Sequence, residues 1–139
     1  MQLQKKSALF LGLIIALSAC AENTSSVEDP KIDDGGVVVT SVYVRDIQPI
    51  FDANCATSGC HASSSATSGI KMSSYSEVMA SVGTVLGKLV TANDVTNSSI
   101  VTVIEGTSSS VARMPFGRSA LSSSDITKIK DWINDGAKN

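Results

Sequence analysis

The sequence predicts an all-α domain, a small bundle of short helices joined by long loops, and three observations carry that prediction. Apolar residues recur at helical spacing in short runs, most clearly Ile126, Ile129, Trp132 and Ile133 near the C-terminus. Between such runs lie stretches dense in Ser, Thr, Ala and Gly, at 56–73 and 107–120, which read as loops. Large rings are few: Tyr43, Phe51, Tyr75, Phe116 and Trp132 supply most of the aromatic mass. A domain this small has a limited apolar core, and loops of this length are uncommon in a compact domain unless they wrap something. A large buried cofactor would supply what the side chains lack.

The N-terminus stands apart from the fold. Lys5 and Lys6 precede an apolar run of ten residues, Ala8 to Leu17, closed by Leu17-Ser18-Ala19-Cys20. That run is too short to span a bilayer, which takes roughly 20 apolar residues. Residues 1–19 therefore read as a leader peptide. The four residues ending at Cys20 resemble a bacterial lipobox, which implies that Cys20 is acylated and becomes the new first residue. The plainer alternative is an ordinary secretory leader with a chance cysteine; either way the chain leaves the cytoplasm. Residues 20–40 then form the acylated cysteine and a polar, acidic, Pro/Gly-punctuated tether, with Val37-Val38-Val39 as a candidate extended start. Without Lys5 and Lys6, nine basic residues face thirteen acidic ones, a net charge of −4. That balance argues against a nucleic-acid partner.

The folded domain is expected over 41–139. A first helix covers about 44–54, with Ile47, Ile50 and Phe51 on one face. Pro49 fits only in a first turn, so this helix is expected to begin nearer 47. Ser74-Tyr75-Ser76-Glu77 is a capping-box pattern that opens a short helix running to about Val82, before Gly83 and Gly87 break the pattern. Asn97-Ser98-Ser99 offers a cap for a helix over 99–105 that Gly106 ends. Ser122 or Ser123 caps the last helix, Asp125 suits its positive end, and Gly136 stops it. Lys128, Lys130 and Asp131 fall on its wet side. No internal repeat is present.

The chemistry concentrates in Cys55-Ala56-Thr57-Ser58-Gly59-Cys60-His61, which holds the only histidine in the chain. With Cys20 acylated, Cys55 and Cys60 remain. A disulfide closing so short a loop would constrain little of the unfolded chain. A cysteine followed at once by histidine, with a second cysteine upstream, is the pattern of covalent haem c attachment. Two thiols add to the two vinyl groups, and the adjacent imidazole then lies beneath the iron. The usual spacing leaves two residues between the cysteines; here there are four, small enough to bulge away from the porphyrin edge. The competing readings are a local disulfide beside a surface histidine, a zinc site, and a catalytic Cys–His pair. Structural zinc wants four Cys or His ligands and three are present. Adjacent residues converge poorly for nucleophilic catalysis.

Residues from about 46 to 139 resemble the small class I-type cytochrome c domains, especially the planctomycete-type. Three segments carry the likeness: Ile47-Gln48-Pro49-Ile50-Phe51 leading into Cys55 and Cys60-His61; Gly69-Ile70-Lys71-Met72 through Met79; and Arg113-Met114-Pro115-Phe116-Gly117 with the helix through Trp132-Ile133-Asn134-Asp135-Gly136-Ala137. The likeness covers about two-thirds of the chain. It implies a cytochrome c-like bundle around one covalent haem c, with His61 as the proximal ligand and Met114 as the distal one. The local sequence points the same way. Met79 reads as core filler, and Met72 lies at a helix start. Met114 sits in a loop whose following proline restricts its backbone to extended geometry. His/Met ligation fills both axial positions, which favours electron transfer over oxygen chemistry. In the resembling family Trp132 would pack near the haem, although an ordinary core tryptophan has the same spacing. Arg113 and Arg118 are candidates for the haem propionates or simply solvated loop arginines.

The expectation is therefore an electron carrier, with Cys55, Cys60, His61 and Met114 binding haem and no turnover chemistry. Its partners would be redox proteins and, through Cys20, a lipid bilayer; no nucleic acid and no small-molecule substrate are expected. The location is the bacterial cell envelope. Ala21 after the acylated cysteine favours the outer membrane, since an aspartate there often marks inner-membrane retention. The alternatives are a haem-free surface lipoprotein or assembly module with a Cys55–Cys60 disulfide, and a haem peroxidase or ligand sensor with a labile distal site.

Overall fold

The computed structural model describes residues 41–139. The leader, Cys20, the 20–40 tether and Val37-Val38-Val39 lie outside the described residues. The described part is mainly helical, with one small two-stranded hairpin.

The first helix begins earlier than Pro49 suggests. A single π turn over Tyr43–Ile47 leads into α1 (Gln48–Asn54). Within it, the Gln48 N–H donates to the Tyr43 carbonyl five residues back. Pro49 then occupies the first turn of α1. A proline in a regular α-helix would clash with the carbonyl four residues earlier and leave it unpaired. The wider π turn shifts that ladder by one residue, so the helix passes through Pro49 without breaking.

The next helix, α2 (Tyr75–Ala80), carries half of the expected capping box. Ser74 Oγ accepts the Glu77 N–H at 3.3 Å. The Glu77 carboxylate reaches one residue further back than the pattern implies, accepting from the Ser73 N–H at 3.1 Å and from Ser63 Oγ at 3.0 Å. It thereby ties the 56–73 loop to the helix start. The chain leaves α2 two residues early into a hairpin, β1 (Val82–Gly83) against β2 (Gly87–Lys88). Gly87 sits at φ +75°, a turn conformation that side chains disfavour. The hairpin is the one departure from the all-α expectation among the described residues.

Helix α3 (Ser99–Glu105) ends at Gly106 in the left-handed conformation, φ +72°. Ser98 stands at its N-cap but makes no capping bond. Its buried hydroxyl accepts the Thr91 N–H at 2.8 Å and lies 2.7 Å from the Asp94 carbonyl, pinning the 91–98 loop. Ser81 does the same elsewhere: its hydroxyl bonds the Lys71 N–H at 2.9 Å and the Lys71 carbonyl at 3.0 Å. These serines, expected inside a helix (Ser81) and at a helix cap (Ser98), replace the ladders that regular structure would provide. Ser98→Ala leaves a buried backbone N–H unpaired, a loss of about 1–3 kcal/mol. Denaturant melts of Ser98→Ala beside the exposed control Ser109→Ala check this; equal midpoints would refute it.

The last helix, α4 (Ser123–Asn134), is as the sequence predicts, capped by Ser122 accepting from the Asp125 N–H at 3.0 Å. Ile129, Trp132 and Ile133 are buried, while Lys130 pairs outside with Glu105 at 2.8 Å. α4 packs on the π turn and on α3. Tyr43 is the hub of this half of the core, its ring 5.1 Å from Tyr75, 5.3 Å from Trp132 and 6.3 Å from Phe51. Burial pushes the Tyr43 hydroxyl well above the ordinary phenol range. The other half of the core is aliphatic, built from Ile70, Leu89, Ile100 and Ile104. No described helix is long and apolar enough to cross a membrane.

Candidate functional site

The aliphatic half of the core is open. A cleft enters it, with about 700 Å³ of empty space, mouth included. Its enclosed part is about 120 Å³, smaller than the roughly 300–1,000 Å³ common to cofactor and ligand sites, so a large group would have to enter through the open mouth and spread the walls. Ile70, Leu89, Ile100 and Ile104 form its apolar walls, and the hairpin turn with Thr84, Val85 and Leu86 lines it as well. Alongside the hydroxyl residues Thr67, Ser68, Thr84 and Ser99, four residues with nitrogen or sulfur donor atoms line the same cleft: Cys55, His61, Met72 and Met114.

Each of these is positioned by a different local device. Cys55 ends α1, its N–H donating to the Phe51 carbonyl at 2.7 Å. It is buried, and burial pushes its thiol up to about 11, with the nearby Arg118 charge opposing the shift. The following residues turn back, so that the His61 N–H reaches the Cys55 carbonyl at 3.1 Å. The His61 carbonyl accepts the Met72 N–H at 2.8 Å, which places Met72 beside His61 on one stretch of wall. His61 Nδ1 lies 3.3 Å from the Ile70 carbonyl. A carbonyl only accepts, so this contact assigns the proton to Nδ1 and leaves the Nε2 lone pair free for a metal. Met114 arrives from the 107–120 loop, its N–H held by the Val103 carbonyl of α3 at 2.9 Å. Pro115 behind it is buried, and the Met114–Pro115 peptide is cis.

Cys60 behaves differently. It is exposed and does not line the cleft, and both Cys55 and Cys60 carry free thiols. Among the described residues, no three His, Cys, Asp or Glu side chains converge. The nitrogen and sulfur donors of the cleft are one imidazole, one thiol and two thioethers, soft and borderline donors that suit transition metals such as iron, copper or zinc rather than hard cations.

The remaining candidates resolve individually. Trp132 belongs to the aromatic cluster, donating from Nε1 to the Lys138 carbonyl at 2.7 Å, and is not part of the cleft wall. Of the two readings its spacing allowed, the ordinary core tryptophan is the one realised. Met79 packs partly buried against the core, as its helical position suggests. Arg113 lies over Gly106, and Arg118 is exposed with Nη1 3.5 Å from the Ala53 carbonyl; neither lines the cleft. The hairpin that closes one side of the cleft had no strand-like signal. Its trace in the sequence is the glycines, since Gly69 sits at φ +81° and a Cβ there would meet the Val82 carbonyl oxygen at 3.0 Å. Only glycine lets the 66–70 backbone come this close to the hairpin.

Comparison of the chain with protein-family models, with curated proteins and with solved structures returns no match.

Proposed function

We propose that this chain is a membrane-tethered electron carrier holding one covalently attached haem c. One observation carries the proposal. Residues 55, 61 and 72 from one stretch of chain, and 114 from a distant loop, bring a thiol, an imidazole and two thioethers to a single apolar cleft. The fit is chemical. The walls are aliphatic, and the His61 Nδ1 faces a backbone carbonyl, the arrangement that orients a metal-binding histidine.

In this reading His61 would hold the iron and Cys55 would anchor the group covalently. Met72 is bonded to the His61 backbone, whereas Met114 comes from another segment, held on α3, and would be the second iron-holding side chain. When bound, haem supplies a reversible one-electron couple. Around it the protein would supply an apolar shell, which favours the reduced state, with His61 and Met114 as the side chains that would hold the iron.

The direct test is a pyridine haemochrome and reduced-minus-oxidised spectrum of protein co-expressed with haem-attachment machinery. A covalent c-type signal is the expected result. Protein whose mass lacks the haem increment would overturn the proposal and favour the haem-free lipoprotein. Anchoring through Cys20 is tested separately. Cys20→Ala is expected to move the protein from the membrane to the soluble fraction of the envelope, because a single missing acyl anchor removes about 0.8 kcal/mol per buried CH₂. Unchanged membrane association would sink the lipid anchor while leaving the haem reading intact.

A further inference from the structure

The sequence presents Cys55 and Cys60 as a pair, and the fold separates them. Cys55 is 8 % exposed and lines the cleft, whereas Cys60 is exposed and lies outside the lining. We infer that haem is attached through one thioether, at Cys55, and that Cys60 remains a free surface thiol.

The four intervening residues are the cause. Ala56-Thr57-Ser58-Gly59 fold into a tight turn of their own, with the Cys60 N–H donating to the Thr57 carbonyl at 3.0 Å and Gly59 at φ +79°. The Cys60 carbonyl is engaged on the other side by the Thr67 N–H at 3.0 Å. Both backbone groups of Cys60 are therefore committed to the surface loop. These bonds hold the Cys60 backbone in the surface loop, where its thiol is exposed.

His61 does not need a Cys60 thioether to hold its place. Its N–H bonds the Cys55 carbonyl, its carbonyl accepts from Met72, and its Nδ1 faces the Ile70 carbonyl. These three contacts do the positioning that a second thioether would otherwise do. The anchoring step is an addition: the Cys55 S–H bond breaks, sulfur bonds one carbon of a haem vinyl group, and the hydrogen ends on the other carbon. No group leaves and no oxidant is consumed. The second vinyl group stays intact.

This inference rests on the cytochrome reading, and the test separates the two. Full-length wild-type protein matured with attachment machinery is denatured, alkylated with iodoacetamide and mapped by peptide mass. The expected map carries haem on Cys55 and the alkyl group on Cys60. Haem on both cysteines, or on Cys60 alone, overturns the inference while the cytochrome reading stands. A map with haem on neither cysteine overturns both. The variants give a second readout. Cys60→Ala is expected to keep covalent haem at the wild-type stoichiometry with an unchanged haemochrome spectrum, and Cys55→Ala to lose it. A Cys60→Ala haemochrome band displaced from that of wild type would show that wild type carries a second thioether, and would also overturn the inference.

Discussion

Met114→Ala is expected to abolish the weak charge-transfer band that methionine–iron bonding gives the oxidised protein, and to lower the reduction potential by on the order of 0.2 V, within the roughly 0.8 V range that axial ligands span. The reasoning starts from the backbone. Met114 is fastened to α3 through the Val103 carbonyl and backed by the buried Pro115, so its thioether has a stiff support. Met72 is the internal control. It is buried, lines the same cleft and has the same thioether, but its N–H is bonded to the His61 carbonyl. A residue attached there belongs to the proximal wall. Met72→Ala is therefore expected to leave the band in place and to reduce stability by about 2–5 kcal/mol, as removal of a buried methionine side chain does. The opposite pattern, with the band lost in Met72→Ala and kept in Met114→Ala, would exchange the two roles. Carbon monoxide binding should follow the same split: wild type resists it, and Met114→Ala binds it readily through the opened position.

The haem-free chain is expected to lack a cooperative thermal transition and a well-dispersed NMR spectrum. Helices α2 and α3 have six and seven residues, well below the roughly 12–15 that an isolated helix needs even to be marginal in water. The hairpin has two residues in each strand. Helix α3 and the hairpin stand on the cleft side, where Ile70, Met72, Leu89, Ile100 and Ile104 line the opening. Apolar walls without filling atoms forgo both burial and dispersion. A deficit of about 5 kcal/mol equals the whole stability of many small domains. The aromatic half is less dependent on a cofactor, because Tyr43, Phe51 and Trp132 already close on one another. Residual helicity in the apo chain should therefore map to α1 and α4, read as hydrogen-exchange protection over 48–54 and 123–134. A folded, cooperative apo protein would show that the side chains alone complete the core, and would remove one of the arguments for a large buried cofactor.

Much of the local structure was legible from sequence because its signals are local. The α4 face of Ile129, Trp132 and Ile133, the Ser122 cap, the Ser74 cap and the Gly106 stop all depend on neighbours within about one turn of the chain. Where Glu77 actually bonds, at Ser73 and Ser63, could not be read, because the 56–73 loop decides it. The π turn at Tyr43–Ile47 was also hidden. Pro49 announces a disturbance, but whether the chain starts a helix there or widens the turn depends on Tyr43 finding its aromatic partners.

For the site, the sequence by itself determined which chemistry is available: one histidine beside a cysteine, a second cysteine five residues earlier, and a methionine before a proline. Covalent spacing is a property of the chain and needs no fold. Only the tertiary structure decided which of these groups share a surface. It brought Met72 and Met114 to the same cleft as Cys55 and His61, sent Trp132 to the aromatic core, and left Cys60 outside. The physical reason is that burial is a long-range outcome. A side chain faces a cleft because distant apolar residues need a common interior, and because loop backbones such as those at Ser81 and Ser98 find hydrogen bonds that hold them around it.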